Sequence, residues 1–252
     1  KLIFVGDTAQ LPPVKLDVSP ALDEDTLNYQ YHKETVLIEL DEVMRQLLNS
    51  GILTNATQLR LAIQNEDHNF KFTIDYPDIT RLEDGYDIED ALVTAYNSNG
   101  VEDTAFIVRS NKRANLYNQQ IRYRIRGQEN EISTGDYIMV VKNNYFWVKP
   151  TTDAGFIANG DIVKVLEIFA IKELYGFRFA EVNVQMVDYP NMKPFETVVL
   201  LDTLTSNTAS LSFEESNQLY QEVMKDYADV KTKYQKFLKV KNNKFFNALQ
   251  IK

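Results

Sequence analysis

With 252 residues, 27 Lys and Arg against 36 Asp and Glu, and a formal net charge of −9, the chain is long enough for roughly one to three compact units with a real core. A hydrophobic share of 44% and a charged share of 25% exclude wholesale disorder, and the lack of cysteine excludes disulfide frameworks, thiolate zinc sites and thiol nucleophiles. No apolar run approaches the roughly 18 residues of a membrane span, so the expectation is a cytoplasmic protein with no membrane partner.

Leu2–Val5 is a short apolar run ending in Gly-Asp, the pattern of a buried parallel strand that delivers a loop at its C-terminal end. It is preceded by neither a basic leader nor an initiator Met, so the chain is expected to be a segment of a longer protein. Pro12 and Pro13 exclude helix in the loop that follows, because each fixes φ and removes a donor. Val36–Leu40 reads as a second strand, and Ile52, Ala56, Leu59 and Ile63 recur at helical spacing, which predicts a helix over 43–65. Residues 66–103 are acidic and mixed, with turns at Tyr76-Pro77 and Asn97–Gly100. Ala105–Val108 is a third buried strand. Ser110 then caps a helix carrying Ala114, Tyr117, Ile121 and Ile125 on one face and ending at Gly127. These strand–helix pairs predict an α/β parallel sheet.

The second half changes character. Tyr137–Lys142, Asp161–Phe169, Phe177–Val187 and Thr197–Leu201 are β-rich runs at short spacing, with turns at Gly135-Asp136 and Gly160-Asp161. Four or five such strands predict a small antiparallel barrel. Within it Tyr145, Phe146 and Trp147 are consecutive, so at least one ring should face outward. The tail is read as helical, with a capping box at Ser212 and Glu215 and a stripe of Leu219, Val223, Tyr227, Val230, Tyr234 and Leu238. Asn247–Lys252 stops in mid-element, again as expected of a segment.

His32 and His68 stand 36 residues apart in polar surroundings and read as surface residues, not as a metal pair or part of a triad. The charge is unevenly spread. Residues 15–42 hold eight acids and two bases, and residues 66–90 nine acids and two bases. Residues 104–127 reverse this with Arg109, Lys112, Arg113, Arg122, Arg124 and Arg126 and no acid, which is compatible with a polyanion groove.

Three segments are candidates for chemistry. In Gly6–Val14, GDTAQLPPV, Gln10 offers a donor and an acceptor at the carboxyl edge of a strand, suited to a phosphate or a positioned water. The alternative is a turn in which Asp7 merely caps the chain. Leu40–Gln46 also follows a strand: Asp41 and Glu42 could bind magnesium or simply complement the start of the next helix. In Val108–Asn118 the helix start could offer amides, Ser110 and Asn111 to a phosphate, against an ordinary solvated helix.

Taken in order, GDTAQLPPV, EVMRQ (Glu42–Gln46) and VRSNKRANLYNQQIR (Val108–Arg122) resemble motifs III, IV and IVa of the RecD-like superfamily 1B DNA helicases. GDYIMVVKNNY and GFIANGDIVKVLEI, at Gly135–Tyr145 and Gly155–Ile168, resemble the SH3-like barrel inserted in their second motor domain. The resemblance covers about residues 1–200. It implies the edge of a first RecA-like domain at 1–40, a second at 41–130, the barrel at 131–203 and a helical return at 204–252. It also implies an ATP-dependent 5′→3′ helicase acting on single-stranded DNA and duplex forks, with ATP and Mg2+ as cofactors and a protein partner possible at the barrel. Within it Arg45 reaches the γ-phosphate, Gln10 couples nucleotide to strand, and Asp7 supports the nucleotide side. Pro12, Pro13 and Val14 lie near the bound strand, and Ser110, Asn111 and Asn118 match positions that touch DNA phosphates or support that contact; beside them the charges of Arg109, Lys112 and Arg113 would add screened attraction to DNA. The family's magnesium acids precede GDxxQLPPV, so Asp41 and Glu42 are not expected to bind the ion. No phosphate loop of the form Gly-x-x-x-x-Gly-Lys-Ser/Thr occurs here, so this segment alone should be inactive. The rival expectation is a non-catalytic nucleic-acid- or protein-binding subunit of the same fold.

Overall fold

The computed structural model describes residues 2–8, 10–13, 15–40, 50–206, 208 and 210–252. They form a mixed α/β chain that divides into two units, residues 1–90 and 91–252.

In the first unit, Asp23 accepts hydrogen bonds from the amide and hydroxyl of Thr26 and starts a helical turn at Thr26–Gln30. Helix α1, Gly51–Gln64, begins at Ser50, whose hydroxyl accepts from the Leu53 amide. Asp78 reinforces this start by accepting from Ser50 Oγ at 2.8 Å and from the Gly51 amide at 2.9 Å. Those two bonds hold its carboxyl below the usual carboxylate range. A side chain at Gly51 would put its Cβ 2.6 Å from Tyr76 Cβ, so only glycine fits. Buried Asn55 fastens α1 to the segment at Thr73, donating to its carbonyl at 2.8 Å and accepting from its amide at 2.7 Å. Residues 43–49, the first part of the helix expected over 43–65, lie outside the described residues.

Helix α2, Gly85–Ser98, corrects the reading of 66–103 as mixed turns. Asp84 Oδ1 starts it, accepting from the amides of Tyr86 and Asp87 at 2.8 and 2.9 Å. The expected parallel strands at Leu2–Val5, Val36–Leu40 and Ala105–Val108 are not formed. Among the described residues no strand ladder precedes Tyr137. Parallel strands need crossover-connected neighbours and cover on both faces, and these runs keep apolar side chains in solvent, Ile38 being 77% exposed.

The second unit continues with α3, Asn111–Gln120, capped by Ser110 as the sequence indicates and prolonged by a wider turn at Ile121–Ile125. Gly127, at φ +60°, ends it. Five strands follow: β1 Tyr137–Met139, β2 Ile162–Leu174, β3 Phe177–Met186, β4 Phe195–Leu200 and β5 Leu249–Gln250, in that order across one sheet. The first three pairings are antiparallel, but β4 and β5 pair in parallel. The purely antiparallel expectation is corrected there, because β5 returns from the tail rather than from an adjacent hairpin. Val140 bridges Ile251, with Met139 and Lys252 exchanging two hydrogen bonds of 2.8 Å, so the sheet curls until its edges meet.

Gly135 and Gly160, at φ +86° and +102°, make the turns that the sequence marks. The β2–β3 turn is less ordinary. Tyr175 and Gly176 both have positive φ, at 59° and 77°, and a bulky side chain is rare in that region. The Tyr175 hydroxyl donates to Asp226, and its ring meets Phe245 edge-on, which hold the turn from outside.

β3 buries both faces. Ala180, Val182, Val184 and Met186 join Val140, Val163, Val165, Val199, Leu249 and Ile251 inside the curl. Phe177 and Phe179 face an outer core with Leu219, Val223, Val240 and Phe245. That outer core is built by α5, Phe213–Lys225, and α6, Lys233–Lys241, after a short α4 at Asp202–Thr205. Ser212 and Glu215 form the expected capping box, which keeps the Glu215 carboxyl below its usual range. The tail stripe is not one helix: it breaks between Lys225 and Lys233, where Asp226 is engaged with Tyr175.

Candidate functional site

In the first unit, the loop after Gly6 is shaped by close packing. A Cβ on Gly6 would lie 2.5 Å from Leu22 Cδ1, so this position cannot carry a side chain without displacing Leu22. The loop and residues 17–22 enclose an open cleft of about 380 Å³, lined by Asp7, Thr8, Gln10, Leu11, Pro12 and Pro13 among others. Gln10 Nε2 donates to Asp7 Oδ2 at 3.5 Å, and the same carboxylate oxygen meets Arg60 at 3.5 Å. The structure thus brings Asp7 and Gln10 together and adds Arg60, which the sequence reading did not single out. Gln10 also keeps its carbonyl oxygen for a donor or a water. Arg45 and Val14 lie outside the described residues, as do Asp41 and Glu42. Among the described residues no three His, Asp or Glu side chains converge to hold a metal ion.

In the second unit the candidate residues of 108–118 are exposed at one helix start. Ser110 Oγ accepts from the Arg113 amide at 3.3 Å, so this hydroxyl completes the helix and can still donate. Asn111 and Lys112 follow as the first helical residues, where main-chain N–H groups have no intrahelical acceptor. Asn118 lies two turns further along, on the same side as Asn111. Arg109, Lys112 and Arg113 make no ion pair among the described residues.

The other end of the same run does something different. Asp136, buried at the turn into β1, accepts from Arg122 Nε and Nη2 at 3.1 and 2.9 Å and from the Ser133 amide at 2.7 Å. Arg126 approaches it at 3.8 Å and donates to the Gly135 carbonyl at 2.9 Å. A carboxylate gripped this way anchors α3 to the curled sheet and takes two cations out of any external field. Phe106 and Tyr117, 4.4 Å apart and edge-to-face, brace the other side of α3.

Of the three consecutive aromatics, Trp147 is structural, donating from Nε1 to the Asn247 carbonyl at 2.7 Å and packing on both cores. Tyr145 faces outward, 70% exposed and stacked on Phe156 at 4.9 Å. No described helix is long and apolar enough to cross a membrane.

One basic feature escaped the sequence reading. Residues 230–252 carry seven lysines and no acid, a denser run of one sign than 104–127. Counting charges in the tail, rather than only its apolar stripe, would have found it. In comparisons with known proteins, no family model and no curated sequence matches this chain.

Proposed function

We propose that the chain is part of an ATP-dependent 5′→3′ DNA helicase of RecD-like type. In this reading, residues near the N-terminus belong to one RecA-like domain, residues to about 130 to a second, and the curled sheet is its inserted SH3-like barrel. The observation that supports it most is the exposed start of α3, where Arg109, Ser110, Asn111 and Lys112 stand together on a chain of net charge −9. Such a site grips phosphate without reading a base, so binding would be insensitive to sequence and sensitive to salt.

On the nucleotide side, Gln10 presents its amide at an open cleft, which suits a phosphate oxygen or the attacking water. Asp7 holds that amide in place and is itself steadied by Arg60. Arg45 would meet the γ-phosphate with its planar, permanently charged fork. Bound Mg-ATP supplies the free energy of the moving step, and no residue of this chain is assigned as a magnesium ligand.

The test is fluorescence anisotropy with a labelled single-stranded oligonucleotide over a salt series. Asn111→Ala combined with Lys112→Ala should weaken binding uniformly across sequences and flatten the salt slope by about 0.7 for each phosphate no longer held. Unchanged affinity and slope would move the strand elsewhere. In the longer protein, Arg45→Ala should lower DNA-stimulated ATP hydrolysis by about 10³-fold or more with little change in nucleotide affinity. Hydrolysis at the parent rate would remove the arginine's role, and intact DNA binding without any hydrolysis in the parent would favour the binding-subunit reading.

A further inference from the structure

We infer that α6 and its flanks form a second nucleic-acid surface, separate from the start of α3, that takes a single-stranded polynucleotide by alternating ring and cation contacts. The argument begins with charge. Of the seven lysines in residues 230–252, Lys236 donates to the Ala228 carbonyl, Lys244 pairs with Glu181, and Lys252 reaches the Ser206 carbonyl. Lys231, Lys233, Lys239 and Lys241 pair with no acid among the described residues. The first turn of α6 has no acidic residue either, so Lys233 sits uncompensated at the positive end of the helix. An anion docked there relieves a repulsion that the isolated fold retains.

Chemistry then narrows the occupant. Val240 is the buried residue of α6, facing the outer core, which leaves Tyr234, Phe237, Leu238 and Lys241 on the outer side. Tyr234 is 70% exposed and Phe237 46%. Lys241 lies four residues after Phe237 and three after Leu238, on the same side as the rings at the C-terminal end of the file, and Lys233 lies four residues before Phe237. An uncharged apolar groove on a protein would leave Lys233 and Lys241 without a counter-charge. A polynucleotide offers bases to stack on the rings and phosphates to meet the lysines. With nine residues, α6 is about 13 Å long, the reach of three or four stacked nucleotides.

The experiment uses the full 252-residue chain and a fluorescein-labelled thymidine oligonucleotide of about 20 residues, longer than a typical single-strand site. Lys233→Gln with Lys241→Gln, the two lysines that flank Phe237 at four-residue spacing, should weaken binding and flatten the salt slope by about 1.4, the value for two phosphates on a single strand. Tyr234→Ala should weaken binding about ten-fold, and Tyr234→Phe should restore it. The affected side chains are exposed, so circular dichroism should remain that of the parent chain. The same oligonucleotide annealed to its complement should bind more weakly, because its bases are no longer free to stack. Equal binding by all α6 variants would overturn the inference. So would a loss in the lysine variant with none in Tyr234→Ala, or tighter binding to phosphatidylserine vesicles than to the oligonucleotide. Asn111→Ala with Lys112→Ala probes α3 separately, so either surface can fail without the other.

Discussion

The two units use similar apolar sequence to opposite effect. Val36, Leu37 and Ile38 are mostly in solvent, whereas Val163, Val165, Val182 and Val184 are fully buried. The difference lies in how each run finds its partner. β2 meets β3 through a two-residue turn, and β3 meets β4 through a short connection, so each strand is paired by its neighbour in sequence. The runs at Leu2–Val5 and Val36–Leu40 read as parallel strands, which must be brought together by crossovers and covered on both faces. Local pairing lets the second unit assemble a core from its own sequence, and the first unit relies on helix caps instead.

The largest test of that contrast is truncation. Phe179→Ala removes a fully buried ring from the outer core and should cost about 3–5 kcal/mol, whereas Ile38→Ala should stay within about 0.5 kcal/mol. Denaturant unfolding followed by far-UV circular dichroism, which reports the helices of both units, measures both, and a comparable loss at Ile38 would show that this run packs in solution. Next in size is Asp136→Asn, which leaves Arg122 without its anionic partner near the sheet and should cost about 3 kcal/mol. Loss of α3 signals before those of β2 and β3 in hydrogen exchange of this variant would confirm the anchor. Unchanged protection would deny it.

A smaller effect should appear in alkali. Burial, aided by the hydrogen bond to Asp226, pushes the Tyr175 hydroxyl up to about 12 from its ordinary 10.0. The folded state therefore favours the neutral phenol. This contribution is complete below pH 10, declines between about 10 and 12, and is lost as pH rises through the folded value. Tyr175→Phe should remove that part of the alkaline loss. Urea midpoints of parent and variant, followed from about pH 9 to about pH 11.5, should converge, and parallel curves would contradict the assignment.

Where the sequence was legible, the signal was local. Ser212 with Glu215, Ser110 before its helix, and Gly135 and Gly160 all act within about four residues of where they stand. What it hid depends on distant partners. Arg122 and Arg126 could be read only as facing solvent or acids of the same body, because the acid they meet, Asp136, is brought to them only by folding. β5 is two residues long and pairs with a strand far earlier in the chain, so no periodicity could announce it. α2 was masked by its acids, although Asp84 marked its start. On the site side, Asp7, Gln10, Pro12 and Pro13 share one cleft as their adjacency suggested, while Arg60 comes from a helix that no loop motif includes.

The bridge between Val140 and Ile251 bears on the order of folding events. Hairpins β2–β3 and β3–β4 close over short separations and can form early, on the microsecond scale typical of such elements. Sealing β1 to β5 spans a far longer stretch of chain than either hairpin, since α5 and α6 both lie between β4 and β5. The closing bridge thus has to overcome the entropy of a loop spanning most of the second unit, and the outer helices shorten that search by delivering Leu249–Ile251 to the sheet. Packing of α5 and α6 on β3 and closure of the ring therefore favour each other.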